Sequence, residues 1–153
     1  MTQLRRDKMF NRKTMVVVIF FIMVAPIFLS VEVKAADELS PSVQVKTKTG
    51  VGKYLADSKG MTLYYFKKDS AGKSACTAKC LKTWPVFYAK ELIAPSDITP
   101  SDMGMITRED GKEQVIFKGY PLYYYVKDKK PGDTSGHKTN NVWFVVNPES
   151  FNP

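Results

Sequence analysis

Short apolar, β-favouring runs alternate with polar turns along the chain after residue 42. An Asp110-Gly111 step between two such runs is a strong hairpin signal, and the polar turn ending at Gly60 predicts another hairpin, between 53–56 and 61–66. One or two helical turns are expected around 75–82. About seven to nine short strands are predicted, among them 43–47, 53–56, 61–66, 105–108, 113–117, 142–146 and the segment that follows Pro121. This pattern favours a mainly β fold, a small antiparallel sandwich or barrel with at most one or two short helices.

One stretch of the chain occurs twice. Residues 63–69 are LYYFKKD, residues 122–128 are LYYYVKD, and the same offset of 59 relates Trp84 to Trp143. Self-similarity at a fixed spacing indicates one structural unit used repeatedly. We therefore predict a single domain, 51–148, built from two pseudo-symmetric repeats. Its parts are an N-terminal arm at 36–50, repeat 1 at 51–88, a connector at 89–102 and repeat 2 at 103–148.

The first residues have the order of a secretory signal peptide. Basic residues come first, an apolar run follows at 15–29, and small residues surround Ala35 and Ala36. We predict removal of residues 1–35, which makes the protein secreted or periplasmic. The run is shorter than the roughly 20 residues of a membrane-spanning helix, so the membrane is contacted only if the leader stays uncleaved as an anchor.

The charge of the chain changes when the leader is set aside. The whole sequence has 23 Lys and Arg, 15 Asp and Glu and a net charge of +8, and residues 1–35 hold six of the former and two of the latter. Residues 36–153 therefore keep a net charge of +4, spread over many lysines. Scattered basic residues predict a mild attraction to anionic envelope polymers. They do not form the dense basic stripe of a nucleic-acid-binding protein.

Cys76 and Cys80 are the only cysteines, and in an exported protein a structural disulfide is the first expectation. A redox-active pair is the alternative, although the spacing is not Cys-x-x-Cys. Leu81 stands where c-type haem attachment needs a histidine.

Metal binding has little support in the sequence. His137 is the only histidine, and its loop, rich in Gly and Lys, is expected to leave it in solvent. One histidine and two oxidised cysteines do not make a zinc or copper site. Three methionines could bind Cu(I), but core or edge positions explain them better: Met61, Met103 and Met105. No cofactor is expected.

Asp69 and Asp128 occupy the same place in the two copies. Paired carboxylates can act as acid and base in glycoside hydrolysis. Alternatively, each Asp follows its strand and accepts backbone N–H groups of the next loop. A duplicated structural unit keeps its structural residues, so the second interpretation is favoured.

The aromatic residues exceed what a domain of this size must bury. Burial explains most of them, while some could stack on a surface ligand, because amphipathic rings are favoured at interfaces. The residues concerned are Tyr64, Tyr65, Tyr120, Tyr123, Tyr124, Tyr125, Trp84 and Trp143.

The repeated motif Tyr-x-(Phe/Trp/Tyr)-x-x-Asp resembles that of exported bacterial proteins described as a secreted repeat of unknown function, often lipoproteins. The motif residues here are Tyr64, Phe66 and Asp69, then Tyr123, Tyr125 and Asp128. The resemblance extends to Cys76-x-x-x-Cys80-x-x-x-Trp84-Pro85, Asp110-Gly111, Gly119-Tyr120-Pro121-Leu122, Pro131-Gly132-Asp133 and Trp143. No lipobox cysteine is present, which departs from the lipoprotein pattern. The resemblance implies export and tandem repeats, but no activity and no catalytic residue.

These observations predict a non-enzymatic binding or interaction module for an unknown envelope partner or polymer. The first alternative is an accessory protein of periplasmic electron transfer that holds haem or copper. The second is a glycan hydrolase that uses Asp69 and Asp128.

Overall fold

A computed structural model describes residues 40–153, and the predicted signal peptide lies outside this range. The strands are β1 Val43–Lys48, β2 Gly52–Asp57, β3 Tyr64–Phe66, β4 Met103–Thr107, β5 Glu113–Phe117, β6 Tyr120–Pro121 and β7 Trp143–Val145. One short helix, α1, covers Lys79–Thr83, and 3-10 turns cover Pro100–Asp102 and Thr139–Asn141. No helix within residues 40–153 is long and apolar enough to cross a membrane.

The strands form three small antiparallel sheets, in the orders β1-β2, β3-β7 and β4-β5-β6. This confirms the predicted mainly β class with little helix. The described sheets are too short and separate to close into a barrel, so the barrel form of the prediction does not apply to them.

Two hairpins begin the two halves of the domain. β1 pairs with β2 from Val43 opposite Asp57, and β4 pairs with β5 from Met103 opposite Phe117, so one register repeats with an offset of 60 residues. The second hairpin was predicted. For the first, the sequence predicted β2 to pair with 61–66, and the chain does reverse there: Asp57 N–H donates to the Met61 carbonyl, Leu63 N–H donates to the Leu55 carbonyl, and a bridge joins Ala56 to Thr62. The main partner of β2 is nevertheless β1, and the turn between them includes Gly50, whose positive φ of 79° favours glycine.

The two halves exchange strands. β3 of the first half pairs with β7 of the second, placing Tyr64 opposite Val145, and Tyr123 of the second half bridges Val86 of the first. Tyr64 and Tyr123 also donate their backbone N–H groups to each other's carbonyl, both at 2.9 Å. Two residues that exchange both backbone hydrogen bonds form a hydrogen-bonded pair of an antiparallel ladder. A local twofold axis therefore passes between the two tyrosines.

Four aromatic rings stack across the same axis. Trp84 and Trp143 lie nearly parallel at the centre, with centroids 3.8 Å apart. Phe66 stacks on the outside of Trp143 and Tyr125 on the outside of Trp84, both at 4.3 Å. Each stacked pair contributes about 0.5–1.5 kcal/mol beyond its buried area. The stacked rings therefore build, from both halves, one of the two hydrophobic clusters of the domain; the other is centred on residues such as Leu63, Phe117 and Leu122.

Candidate functional site

The motif tyrosines and aspartates bond across the two repeats. Tyr64 Oη donates to Asp128 Oδ2 at 2.5 Å, and Tyr123 Oη donates to Asp69 Oδ2 at 2.8 Å. The second oxygen of each carboxylate accepts a backbone N–H from its own following loop, from Ala75 for Asp69 and from Ser135 for Asp128. Each aspartate thus fixes a loop in its own repeat and a tyrosine in the other.

Burial governs the titration of these groups. It raises the pKa of Tyr64 well above its usual range, and the hydrogen bond and charge of Asp128 raise it further. Burial and then the charge of Asp69 raise the pKa of Tyr123 in the same way. Burial also raises the pKa of Asp69, against the opposing effect of its hydrogen bonds. The tyrosines consequently stay protonated and act as donors throughout the ordinary pH range.

This arrangement contradicts two sequence interpretations. Asp69 and Asp128 are each only 7% exposed, and both oxygens of each accept hydrogen bonds within the protein, so neither is placed to exchange a proton with a glycan. Tyr64 and Tyr123 are fully buried and Tyr125 is 8% exposed. The interpretation of these rings as a ligand-binding surface is therefore wrong, because the strand exchange encloses both copies of the motif.

A third Tyr–Asp pair went unnoticed in the sequence. Tyr124 Oη donates to Asp57 Oδ2 at 2.8 Å, while Asp57 Oδ1 accepts the N–H groups of Lys59 and Met61. Asp57 begins the polar turn recognised in the sequence. Its bond to Tyr124 could not be foreseen, since the partners are 67 residues apart.

The largest cleft among the described residues lies between the loop 70–80 and the β4–β5 hairpin. We call it the Arg108 cleft; its lining residues are 72–74, 77–78 and 106–110, and its volume is about 440 Å³. A cleft of this size falls within the range of ordinary small-ligand sites. Ala78 in its wall has a φ of 36°, and strained backbone is concentrated at functional sites.

Arg108 forms the buried part of this cleft. Its guanidinium donates through Nη1 to Gln114 Oε1 and through Nη2 to the Cys76 carbonyl, the latter at 2.7 Å. Its Nε lies 3.4 Å from Asp110 Oδ1 and makes no hydrogen bond within residues 40–153. A buried cation normally has all its donors paired, so the free Nε–H singles out this residue. No pattern in the sequence distinguishes Arg108 from the other basic residues.

The equivalent position in the first hairpin differs. With the offset of 60 residues, Arg108 corresponds to Lys48, which is exposed and donates to the Gly132 carbonyl at 2.8 Å. Both side chains therefore tie a hairpin to the loop of the other repeat. A cleft of about 320 Å³ lies beside the first hairpin too, lined in part by Lys46, Pro131 and Gly132, so the halves differ in the burial of the cation rather than in the presence of a cleft.

A family model described as secreted repeat of unknown function matches the chain twice, at residues 46–88 and 104–147. The chain belongs to this family. No curated protein and no solved structure matched the sequence. The two matches agree with the twofold arrangement of the fold, and the family's description supports an extracytoplasmic location for this secreted-repeat protein.

The secreted-repeat protein contains the predicted disulfide, between Cys76 and Cys80. Cys76 is fully buried, and its carbonyl is the one that accepts from Arg108. In the same loop Ser74 Oγ hydrogen-bonds to Tyr123 Oη at 2.6 Å. The disulfide therefore lies in a loop held to both the cleft and the motif.

We expected His137 of the secreted-repeat protein to lie in solvent, and this prediction is wrong. Its ring is partly buried, packs edge-on against Phe144, and accepts the Val145 N–H at Nδ1 over 3.3 Å. Burial, aided by the charge of Lys138, lowers the pKa of His137. The loop composition misled the prediction because β7 passes beneath this loop.

In the described part of the secreted-repeat protein, no three His, Cys, Asp or Glu side chains are grouped closely enough to hold a metal ion. The methionines considered for copper differ in environment. Met103 is buried in the core, whereas Met105 is 37% exposed.

Proposed function

We propose that this protein is a non-enzymatic binding module of the cell envelope, placed in the periplasm or at the cell surface, and that it holds its ligand in the Arg108 cleft. The predicted leader, the family's description and the net charge of +4 on residues 36–153 all suit contact with an anionic envelope component.

The difference between the two copies supports this proposal. Both copies share the buried tyrosines and aspartates, whose polar groups hold the repeats together, and the buried tryptophans. The buried cation occurs only in the second repeat and the disulfide only in the first, and the Arg108 cleft lies between the two. Residues that both halves share are explained by their role in the scaffold. Residues that only one half has are not required by the repeated scaffold, so they can contact a ligand.

Retention on immobilised envelope polymers tests the proposal. The panel contains peptidoglycan sacculi, an acidic polysaccharide and a neutral polysaccharide, and the test variant is Thr107→Trp, which fills the Arg108 cleft. Thr47→Trp is the matched control, since Thr47 holds the equivalent position in the first hairpin and is likewise exposed. We expect at least one polymer to retain the wild type and Thr47→Trp about ten-fold better than Thr107→Trp. Retention of no polymer, or equal retention of both variants, would contradict the proposal.

A further inference from the structure

The Arg108 cleft contains a buried positive charge whose carboxylate partner is poorly placed. Asp110 Oδ1 lies 3.4 Å from Nε, too badly aligned for a hydrogen bond. The Asp110 side chain is 39% exposed, and it lines the cleft. Asp110 therefore lies beside the buried Nε of Arg108 at the wall of the cleft.

Asp110 is also free to move away. It belongs to the turn of the β4–β5 hairpin, next to Gly111, and its only hydrogen bond is a 3.3 Å contact from the Lys112 N–H. The other two guanidinium nitrogens are held by Gln114 and Cys76. If Asp110 moves away, the Nε–H of Arg108 becomes available to a ligand, while Nη1 and Nη2 keep their hydrogen bonds.

The first repeat makes the equivalent link without a buried charge. Lys48, in the equivalent position, is solvated and satisfied by a carbonyl. A buried cation is costly unless it is paired. The second repeat buries an arginine instead, whose charge opposes the rise that burial causes in the pKa of Asp69, and it leaves the Nε–H without a hydrogen bond within residues 40–153. This N–H is the group that a ligand anion could pair.

Resting on the proposed function, we propose that the Arg108 cleft binds a uronic-acid unit of an acidic polysaccharide, whose carboxylate takes the place of Asp110 on Arg108. Arginine is the side chain best suited to carboxylates. The exposed Thr77 and Thr107 hydroxyls in the cleft wall match a hydroxylated sugar ring. An acidic peptide, whose carboxylates would meet the same arginine, is the alternative that the triglutamate control tests.

Calorimetric titration with trigalacturonate tests this inference, with its methyl ester as the neutral control and triglutamate as the peptide control. We expect trigalacturonate to bind at least ten-fold more tightly than either control. Asp110→Asn should tighten binding about three-fold or more relative to Glu109→Gln, which removes the same charge from a neighbour. Arg108→Gln should abolish binding, whereas Lys48→Gln should leave it nearly unchanged.

Several outcomes would overturn the inference. These are equal binding of the methyl ester, equal binding of triglutamate, or Asp110→Asn binding no more tightly than Glu109→Gln. The exposed Asp110 variant keeps the test decisive even if Arg108→Gln fails to fold. If Thr107→Trp abolishes retention on a polymer while trigalacturonate does not bind, the inference fails and the proposed function stands. If no polymer is retained, both fail.

Discussion

At the residue scale, the Tyr–Asp pairs show how identical residues can lock two halves together. Tyr64 belongs to the first repeat and its acceptor Asp128 to the second, and the Tyr123–Asp69 pair is the reverse. A hydrogen bond to a charged group contributes about 1.5–3 kcal/mol. Both pairs are also buried, so losing one partner leaves the other unsatisfied.

We expect Tyr64→Phe to lower the free energy of unfolding by about 2 kcal/mol, because Asp128 Oδ2 and the Gly136 N–H lose their partner. Urea denaturation measures the change. Tyr88→Phe, at a ring that is 47% exposed, is the control and should leave stability within about 0.5 kcal/mol. A Tyr64→Phe protein as stable as the control would show that the pair contributes little.

His137 makes stability depend on pH. Its pKa in the folded protein is lowered from 6.5, so the unfolded chain takes up a proton first as the pH falls. Stability should therefore be full above the unfolded value and should decrease as the pH drops through 6.5. Protonation of Nδ1 also removes the acceptor of the Val145 N–H.

Melting temperatures at pH 7.5 and pH 5.5 check this prediction. The wild type should lose more stability between these values than His137→Asn, which lacks the titrating ring. The difference between the two proteins isolates His137 from Asp69, whose raised pKa has the opposite effect and stabilises the fold on acidification. Parallel profiles for the two proteins would rule out this role for His137.

At the scale of elements, the sequence predicted hairpins between adjacent strands but did not predict pairings between strands that are distant along the chain. The Asp110-Gly111 turn and the strands on either side were predictable because a hairpin is specified by adjacent residues. The pairing of β3 with β7 joins residues about 80 positions apart, and no local pattern encodes it. The interpretation of 53–66 as a hairpin was correct only next to its turn, where Ala56 bridges Thr62. Both flanks favour strands, but their main partners lie elsewhere.

The disulfide is expected to stabilise its loop more than the whole fold. Its ring of a few residues restricts the unfolded chain by only about 2 kcal/mol. In the Cys76→Ser, Cys80→Ser double variant we expect global stability to fall by about that amount. The Ala75 N–H donates a hydrogen bond to Asp69. We expect the rate of its hydrogen exchange to rise by a larger factor than the loss of global stability explains.

The second repeat supplies the internal control. The Ser135 N–H donates to Asp128 in the same way, but it lies in a loop without cysteines. Its exchange should quicken only as much as global stability falls. Equal acceleration at both amides would show that the disulfide acts on the whole domain rather than on its loop.

At the scale of the molecule, strand exchange means that neither half has a complete set of partners. We expect separate fragments 40–90 and 91–153 to be unfolded alone and to form the native fold when mixed, because β3 needs β7 and Tyr123 needs Val86. Circular dichroism of the fragments, and near-ultraviolet signals from the Trp84–Trp143 stack on mixing, provide the measurement. Cooperative unfolding of either fragment by itself would contradict the prediction.

The whole-molecule view also explains which parts of the site were predictable. Duplication in the sequence predicted the two repeats that the family model matches, because shared residues at a constant offset indicate a unit used twice. The Arg108 cleft was not predictable. Its arginine looks like any surface arginine in the sequence, and its contact with Cys76 spans 32 residues.

The strand exchange has a consequence for how a secreted chain matures. A polypeptide that emerges amino end first presents β3 about 80 residues before β7. Until β7 arrives, the tyrosines of β3 face water and its edge is open to proteases and to chaperones. Arrival of β7, rather than synthesis of the first half, therefore sets the moment at which β3 becomes protected.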